Sequence, residues 1–345
     1  MEFKLADFYG SSRGEEGVLL APYTTFKIGG PADFFYEVQG SRDLAKAVRL
    51  AREVGISYFV LGSGSNILVS DEGFRGLVIR NWSRNRNLKI ESGNSGASRL
   101  TTKPRLEQLD EEKFYAFEGK SVQYDSGSAF VFVEADSGFK LEELATSLFD
   151  QGIVGLEYFA GIPGTVGGAV YGNSHGGTKF FGEYVVGAEV LTKKGEVIKV
   201  NQDFFQFDYD YSSLKENEGI VLSVTLRLWY GDGKRAREVF DTWKERKIRQ
   251  PKRSAGCIFQ NLDELDQGKL GLPTNSVGYV LDQVLHLKGK KRGDAEISDY
   301  HAAFIVNRGK ARASDVRYLV ELCKKRARNE LGLELKEEIG YVGFD

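Results

Sequence analysis

The chain has 345 residues, 41% hydrophobic and 28% charged, with a net charge of −2. That length is more than one core organises, so two or three sub-domains are expected. The near-neutral balance lacks the basic footprint of a nucleic-acid binder, and no apolar run approaches the ~18 residues of a membrane span.

The opening MEFKLADFYG has no charged-then-apolar leader pattern, and two cysteines make no secretory framework, so a cytoplasmic protein with reduced thiols is expected. Three histidines and two cysteines, all scattered, argue against a zinc site. The composition stands out in 41 glycines against 6 prolines, clustered in IGG, LGSGSN, GIPGTVGGAVYGN and HGG. Clustered glycine in a globular chain marks tight turns or backbone in close approach to something.

In chain order, SRDLAKAVRLAREVG predicts a helix, with Ser41 as N-cap, Leu44, Ala47, Val48 and Ala51 on one side, and Gly55 as the stop. Tyr58–Leu61 and Leu77–Asn81 read as strands. Residues 83–128 are polar and aperiodic, and read as an inserted, partly mobile excursion. AFVFVEADSG reads as a strand and FKLEELATSLFDQG as a helix stopped by Gly152. Residues 221–229 alternate apolar and polar as a half-buried strand does. GDGK looks like a boundary. The helix after it carries Ala236, Val239, Phe240 and Trp243 on one stripe and ends before Pro251. Ser314 is expected to cap a last helix, with Cys323 on its apolar side.

Three stretches suggest chemistry. The 62–66 turn, Gly62, Ser63, Gly64, Ser65 and Asn66, offers successive amides and hydroxyls that suit a pyrophosphate; it reads equally as a tight β-turn without a ligand. It is no dinucleotide fingerprint of the G-x-G-x-x-G kind, because Ile67 takes the third glycine's place. GIPGTVGGAVYGN, 161–173, can run its backbone against a flat ligand or a diphosphate, or can be a close-packed helix start. SAGCIFQN, 254–261, places Cys257 in a small turn after a basic run. There the thiol can be a packing residue, a metal ligand, half a disulfide or an acid–base group. The basic run itself, Arg246, Lys247, Arg249, Lys252 and Arg253, suits phosphates but also reads as an ordinary solvated face.

TTFKIGGPADFF (24–35), VLGSGSNILVSDEGFRGLVIRN (60–81), GLEYFAGIPGTVGGAVYGN (155–173), RQPKRSAGCIFQN (249–261), the run from 278 to 316 and the closing GLELKEEIGYVG together resemble the UDP-N-acetylenolpyruvoylglucosamine reductase (MurB) family. Their order covers nearly the whole chain except about 83–128. The resemblance implies an α+β chain: an FAD-binding domain of the vanillyl-alcohol-oxidase/PCMH type with two α/β subdomains, 1–80 and 81–230, and a C-terminal α+β substrate-binding domain, 231–345. It implies non-covalent FAD, NADPH as hydride donor, UDP-GlcNAc-enolpyruvate as substrate, a role in peptidoglycan precursor synthesis, and a monomer. Contacts to FAD would come from Gly62 to Asn66 with Ile67, and from Ile162, Pro163, Gly164, Thr165, Gly167, Gly168 and Ala169. Tyr209, Arg249, Lys252 and Asn261 would bind substrate. The passage from VTLRLWY through GDGK straight into a helix fits the shorter type, which lacks an extra Tyr-bearing loop.

The resemblance also answers the thiol question. Cys257 stands where the family has a proton-donating Ser, and a thiol, with an ordinary pKa near 8.5, is the stronger acid. Glu338 takes the place of the family's catalytic Glu, with Glu337 the alternative in a shifted register. Two departures stand out. Asp210 occupies the place of an Arg that holds the substrate carboxylate, so either the local register differs, another cation (Lys215, Arg249 or Arg246) serves, or catalysis is impaired. Ala303 replaces an Asn. NSHGG, 173–177, also differs from the family's GAYG element, and His175 within it reads as a loop histidine.

Overall fold

Residues 14–83, 88–93, 130–177 and 179–344 are described by the structure, a computed structural model. Most of the 83–128 stretch therefore lies outside the described residues. The chain divides into two compact units, Met1–Tyr36 with Ile56–Val78 and Gln250–Asp345, and Glu37–Gly55 with Ile79–Arg249.

In the first unit, β1 (Gly14–Leu19), β2 (Pro31–Val38), β3 (Tyr58–Leu61) and β5 (Phe74–Asn81) form a sheet in the order β1-β2-β5-β3. The short β4 (Ile67–Val69) leaves this sheet and pairs in parallel with β17 (Gly340–Val342). A second sheet, β14 (Lys291–Arg292), β15 (Ala295–Ile297) and β16 (Ile305–Asn307), is antiparallel. The Ala313–Leu331 helix turns Val316, Leu319, Val320 and Cys323 into the core, as the 3–4 spacing requires. Ser314 is not its cap. The carboxylate of Asp71, far away in sequence, accepts the amides of Ala313 (2.7 Å) and Ser314 (3.0 Å). Burial alone would raise the Asp71 carboxyl, but these bonds and Arg312 hold it below its usual range. A charged acceptor aimed at two orphan amides displaces a neutral hydroxyl from the capping role.

In the second unit, β13 (Ile220–Tyr230) is the spine of an antiparallel sheet. It lies between β11 (Val185–Leu191) and β7 (Phe130–Asp136), with β12 (Val197–Asn201) and β6 (Lys89–Ser92) outside them and β8 (Ile153–Val154) on its end. β6 corrects the reading of its stretch as irregular. It is an edge strand whose pairing to β7 comes from the backbone, so its mostly exposed side chains carry no period. The Ser41–Glu53 helix forms as expected, but Ser41 is its first residue rather than its cap, and its amide donates to Asp136 Oδ2 at 3.0 Å. Phe159, Phe181, Phe205 and Phe240 are fully buried in this unit's core.

Candidate active site

The thiol and the carboxylate singled out in the sequence lie on adjoining backbone stretches of the first unit. The 254–261 segment runs between two others. Ile258 N donates to Ala303 O at 2.9 Å on one side, and Glu338 N donates to Ile258 O at 2.9 Å on the other. Bridges Cys257↔Phe304 and Phe259↔Glu337 complete the pairing. Phe259 and Ile258 are buried and anchor the segment, while Cys257 remains half-exposed and outside any disulfide. Ala303 contributes its main chain, which leaves its side chain free to be small. Glu337 is committed elsewhere: Lys324 Nζ lies 2.6 Å from one carboxylate oxygen and the Tyr341 hydroxyl donates to the other. Burial, and Glu337 after it, push the Tyr341 phenol up.

The 62–66 turn joins this arrangement directly. Asn66 Nδ2 donates to Glu338 O at 3.1 Å and Gly340 N donates to Asn66 O at 2.9 Å. Gly64 has φ +60°, and a Cβ there would sit 2.3 Å from Tyr23 O. Carbonyls of the turn are consumed by Thr25, whose N reaches Gly64 O at 3.0 Å. The amides of Ser63, Gly64, Ser65 and Asn66 have no acceptor among the described residues. Such a row of unused donors fits the pyrophosphate of a dinucleotide. Gly64→Val is expected to weaken flavin binding about 10- to 100-fold, the equivalent of roughly 1–3 kcal/mol of backbone strain. The check is the flavin-to-protein ratio after dialysis, and full retention of flavin would contradict it.

In the second unit, Thr165 caps the Val166–Tyr171 helix by accepting Gly168 N at 3.3 Å, and Gly167 N donates to Ser137 O at 2.7 Å. A Cβ on Gly164 would meet nothing within 4 Å, and one on Gly168 only Thr165 Oγ1 at 3.4 Å. Pro163 and Gly168 are exposed and Ile162 half-buried, so this backbone presents one open side, which fits a flat ligand. The 208–212 loop is tied to the end of the helix. Asn173 Nδ2 donates to Asp208 O at 2.8 Å and Ser212 Oγ to Tyr171 O at 2.7 Å.

Asp210, in that loop, has φ +49° and is buried, and its Oδ2 has no hydrogen-bond partner among the described residues. Its Oδ1 lies 3.5 Å from His175 Nδ1. The loop-histidine reading of His175 missed this, because nothing local in NSHGG points to a residue so far along the chain. Lys215, one of the alternative cations, donates through Nζ to Asp210 O at 2.6 Å. The Tyr209 ring lies tilted against that of His175, with ring centroids 5.5 Å apart. Arg249 and Lys252 are exposed, and no carboxylate among the described residues pairs with either. Asn261 is partly structural: its Oδ1 accepts Val277 N at 3.2 Å. Glu157, a buried carboxyl that no sequence pattern flagged, lies in the second unit.

A family model for the UDP-N-acetylenolpyruvoylglucosamine reductase C-terminal domain matches residues 248–342, and one for an FAD binding domain matches residues 122–201. The chain is 32% identical to the UDP-N-acetylenolpyruvoylglucosamine reductase of Heliobacterium modesticaldum, over 98% of this chain and 92% of that protein. It is 30% identical to that of Clostridium novyi, over 99% and 95%. The crystal structure of UDP-N-acetylenolpyruvylglucosamine reductase (MurB) from Thermus caldophilus superposes with a TM-score of 0.68 at 30% identity, covering 96% of this chain and 99% of that one.

Proposed function

This chain belongs to the UDP-N-acetylenolpyruvoylglucosamine reductase family and is a flavoenzyme oxidoreductase, and from that premise we propose that it reduces UDP-GlcNAc-enolpyruvate to UDP-N-acetylmuramate at the expense of NADPH. The reading extends to a monomer acting in the cytoplasm in peptidoglycan precursor synthesis, built as two flavin-binding subdomains, 1–80 and 81–230, and a substrate domain, 231–345. No helix among the described residues is long and apolar enough to cross a membrane.

When bound, FAD supplies the hydride that NADPH provides. Residues 62–67 would hold its pyrophosphate through main-chain amides, and residues 162–169 would lie along its ring system. The chain's own residues manage charge and the proton. Hydride addition to the vinyl carbon leaves negative charge on the carboxyl side of the former double bond, where Glu338 shares a proton or charge with the enol. Cys257 Sγ–H then protonates the adjacent carbon, and the thiolate is reprotonated from solvent. Tyr209, Arg249, Lys252 and Asn261 are assigned to the nucleotide sugar. One observation carries this reading furthest: the Glu338 N to Ile258 O bond holds the carboxylate and the thiol on neighbouring stretches.

The test is anaerobic. NADPH is expected to bleach the purified yellow protein, and UDP-GlcNAc-enolpyruvate to restore the colour with one equivalent of UDP-N-acetylmuramate formed. Bleaching without recovery would overturn the assignment. It would favour instead an impaired flavin-binding relative, the reading that the buried carboxylate of Asp210 supports.

A further inference from the structure

The stretch that carries Glu338 is clamped to the Ala313–Leu331 helix by side chains that the mechanism leaves unused, all of them in the first unit. Arg317, Glu321 and Lys324 stand four and three residues apart, on one face of that helix. Lys324 Nζ lies 2.6 Å from Glu337 Oε1 and 3.6 Å from Glu321 Oε1. The Tyr341 hydroxyl donates to Glu337 Oε2, and the Arg317 guanidinium lies 4.7 Å from the centre of the Tyr341 ring. Phe344 packs edge-on against the same ring at 5.3 Å. Both oxygens of Glu337 are thus bonded, and its side chain is 19% exposed.

We propose that Lys324 and Tyr341, acting through Glu337, are positioning residues that set the Glu338 carboxylate beside the 254–261 segment for its exchange with the enol. This rests on the proposed function, which gives Glu338 that task. In extended backbone successive side chains leave on opposite faces, so a side chain fixed at 337 sets the face on which 338 emerges. The Phe259↔Glu337 bridge and the Glu338 N to Ile258 O bond lay this stretch along the thiol's segment. Its other neighbours give no such hold: Lys336 is exposed and Gly340 has no side chain. The hydrogen bond to Glu337 raises the pKa of Lys324 above its ordinary value, so the ammonium stays charged at neutral pH. With 26% and 19% of the two side chains exposed, the pair is screened less than a surface ion pair. The cation also compensates Glu337. Without it an uncompensated carboxylate would stand next to Glu338. A reacting group moved by about 1 Å can cost about 10²-fold in rate, so even a partial release of this clamp reaches the chemistry.

The experiment follows reoxidation of the NADPH-reduced holoenzyme by UDP-GlcNAc-enolpyruvate in stopped flow, beside steady-state turnover. Lys324→Met is expected to slow reoxidation about tenfold and Tyr341→Phe about threefold. Flavin content, the rate of reduction by NADPH and the KM for the enolpyruvyl nucleotide are expected to stay within about twofold. Lys324→Arg, which keeps a charged donor against Glu337, is expected to recover most of the rate. The deciding measurement is the double variant. In a Glu338→Gln background Lys324→Met is expected to cost less than about twofold, because residues that act through one group are not additive. A full tenfold loss in that background overturns the proposal, since it marks a role in the fold and not at Glu338. Unchanged reoxidation in Lys324→Met overturns it too, as does a raised KM with kcat unchanged. If Lys324→Met fails to hold flavin, Tyr341→Phe takes its place in the same cycle, because it keeps the ring under Arg317 and loses only the hydroxyl. Normal turnover in Glu338→Gln removes the task assigned to Glu338 under the proposed function, and this proposal with it. A slow Glu338→Gln beside indifferent Lys324 and Tyr341 variants removes this proposal alone.

Discussion

Cys257→Ala is expected to lower turnover about 10²- to 10⁴-fold, the range for loss of a positioned general acid, while flavin content and the rate of NADPH reduction stay unchanged. The two halves separate because nothing in the first requires a proton from the 254–261 segment. Cys257→Ser is expected to fall between the two, since a hydroxyl is the weaker acid but keeps the size and the donor. Stopped-flow measurement of the two halves, with and without UDP-GlcNAc-enolpyruvate, checks this. Turnover of Cys257→Ala within about threefold of the unaltered enzyme would remove Cys257 as the donor. Alkylation provides an internal control. Cys323 is 1% exposed and burial pushes its thiol up to about 12, so a thiolate-directed reagent at neutral pH should inactivate through Cys257 and leave Cys323 unmodified.

Glu157→Gln is expected to stabilise the protein, and to do so increasingly as pH rises. Burial pushes the Glu157 carboxyl up to about 7, and the amide of Gly155, 2.7 Å from Oε2, and the charge of Lys179 only partly oppose it. Oε1 has no partner among the described residues. In the unfolded chain this carboxyl ionises near its model value of 4.5, so between 4.5 and about 7 the folded protein holds a proton that the unfolded chain has released. Stability contributed by the protonated, buried acid is therefore complete below that window and is lost across it, by on the order of 3 kcal/mol. Glutamine occupies the same volume, keeps an oxygen for Gly155 and never ionises. The stability of Glu157→Gln relative to the unaltered protein should thus improve by that order between pH 4.5 and 8, as measured by denaturant unfolding at each pH. Parallel stability curves for the two proteins over that range would contradict it.

The same chemistry explains what could be read from the residues alone. Helix and strand periods follow from which side chains must avoid water, so the 41–53 helix and the 220–230 strand were legible without coordinates. Glycine clusters were legible too: at Gly64 the left-handed φ favours glycine, and a Cβ would sit 2.3 Å from Tyr23 O. An unusual thiol in a small turn marked the 254–261 segment. Edge pairing was not legible, since β6 is held through its backbone and its side chains carry no signal. Helix capping failed at Ser314 for a related reason: the better acceptor, Asp71, arrives from another part of the chain.

The sequence by itself determined the family and the glycine-lined backbone, and it pointed to Cys257 and Glu338 as candidates, because these are properties of short stretches and of their order. Only the tertiary structure decided that Glu338 lies beside the Cys257 segment, that Glu337 is occupied by Lys324 and Tyr341, that Glu157 is buried, and that His175 meets Asp210. Those are contacts between residues far apart in the chain, and their energies depend on burial and distance, which no local pattern encodes.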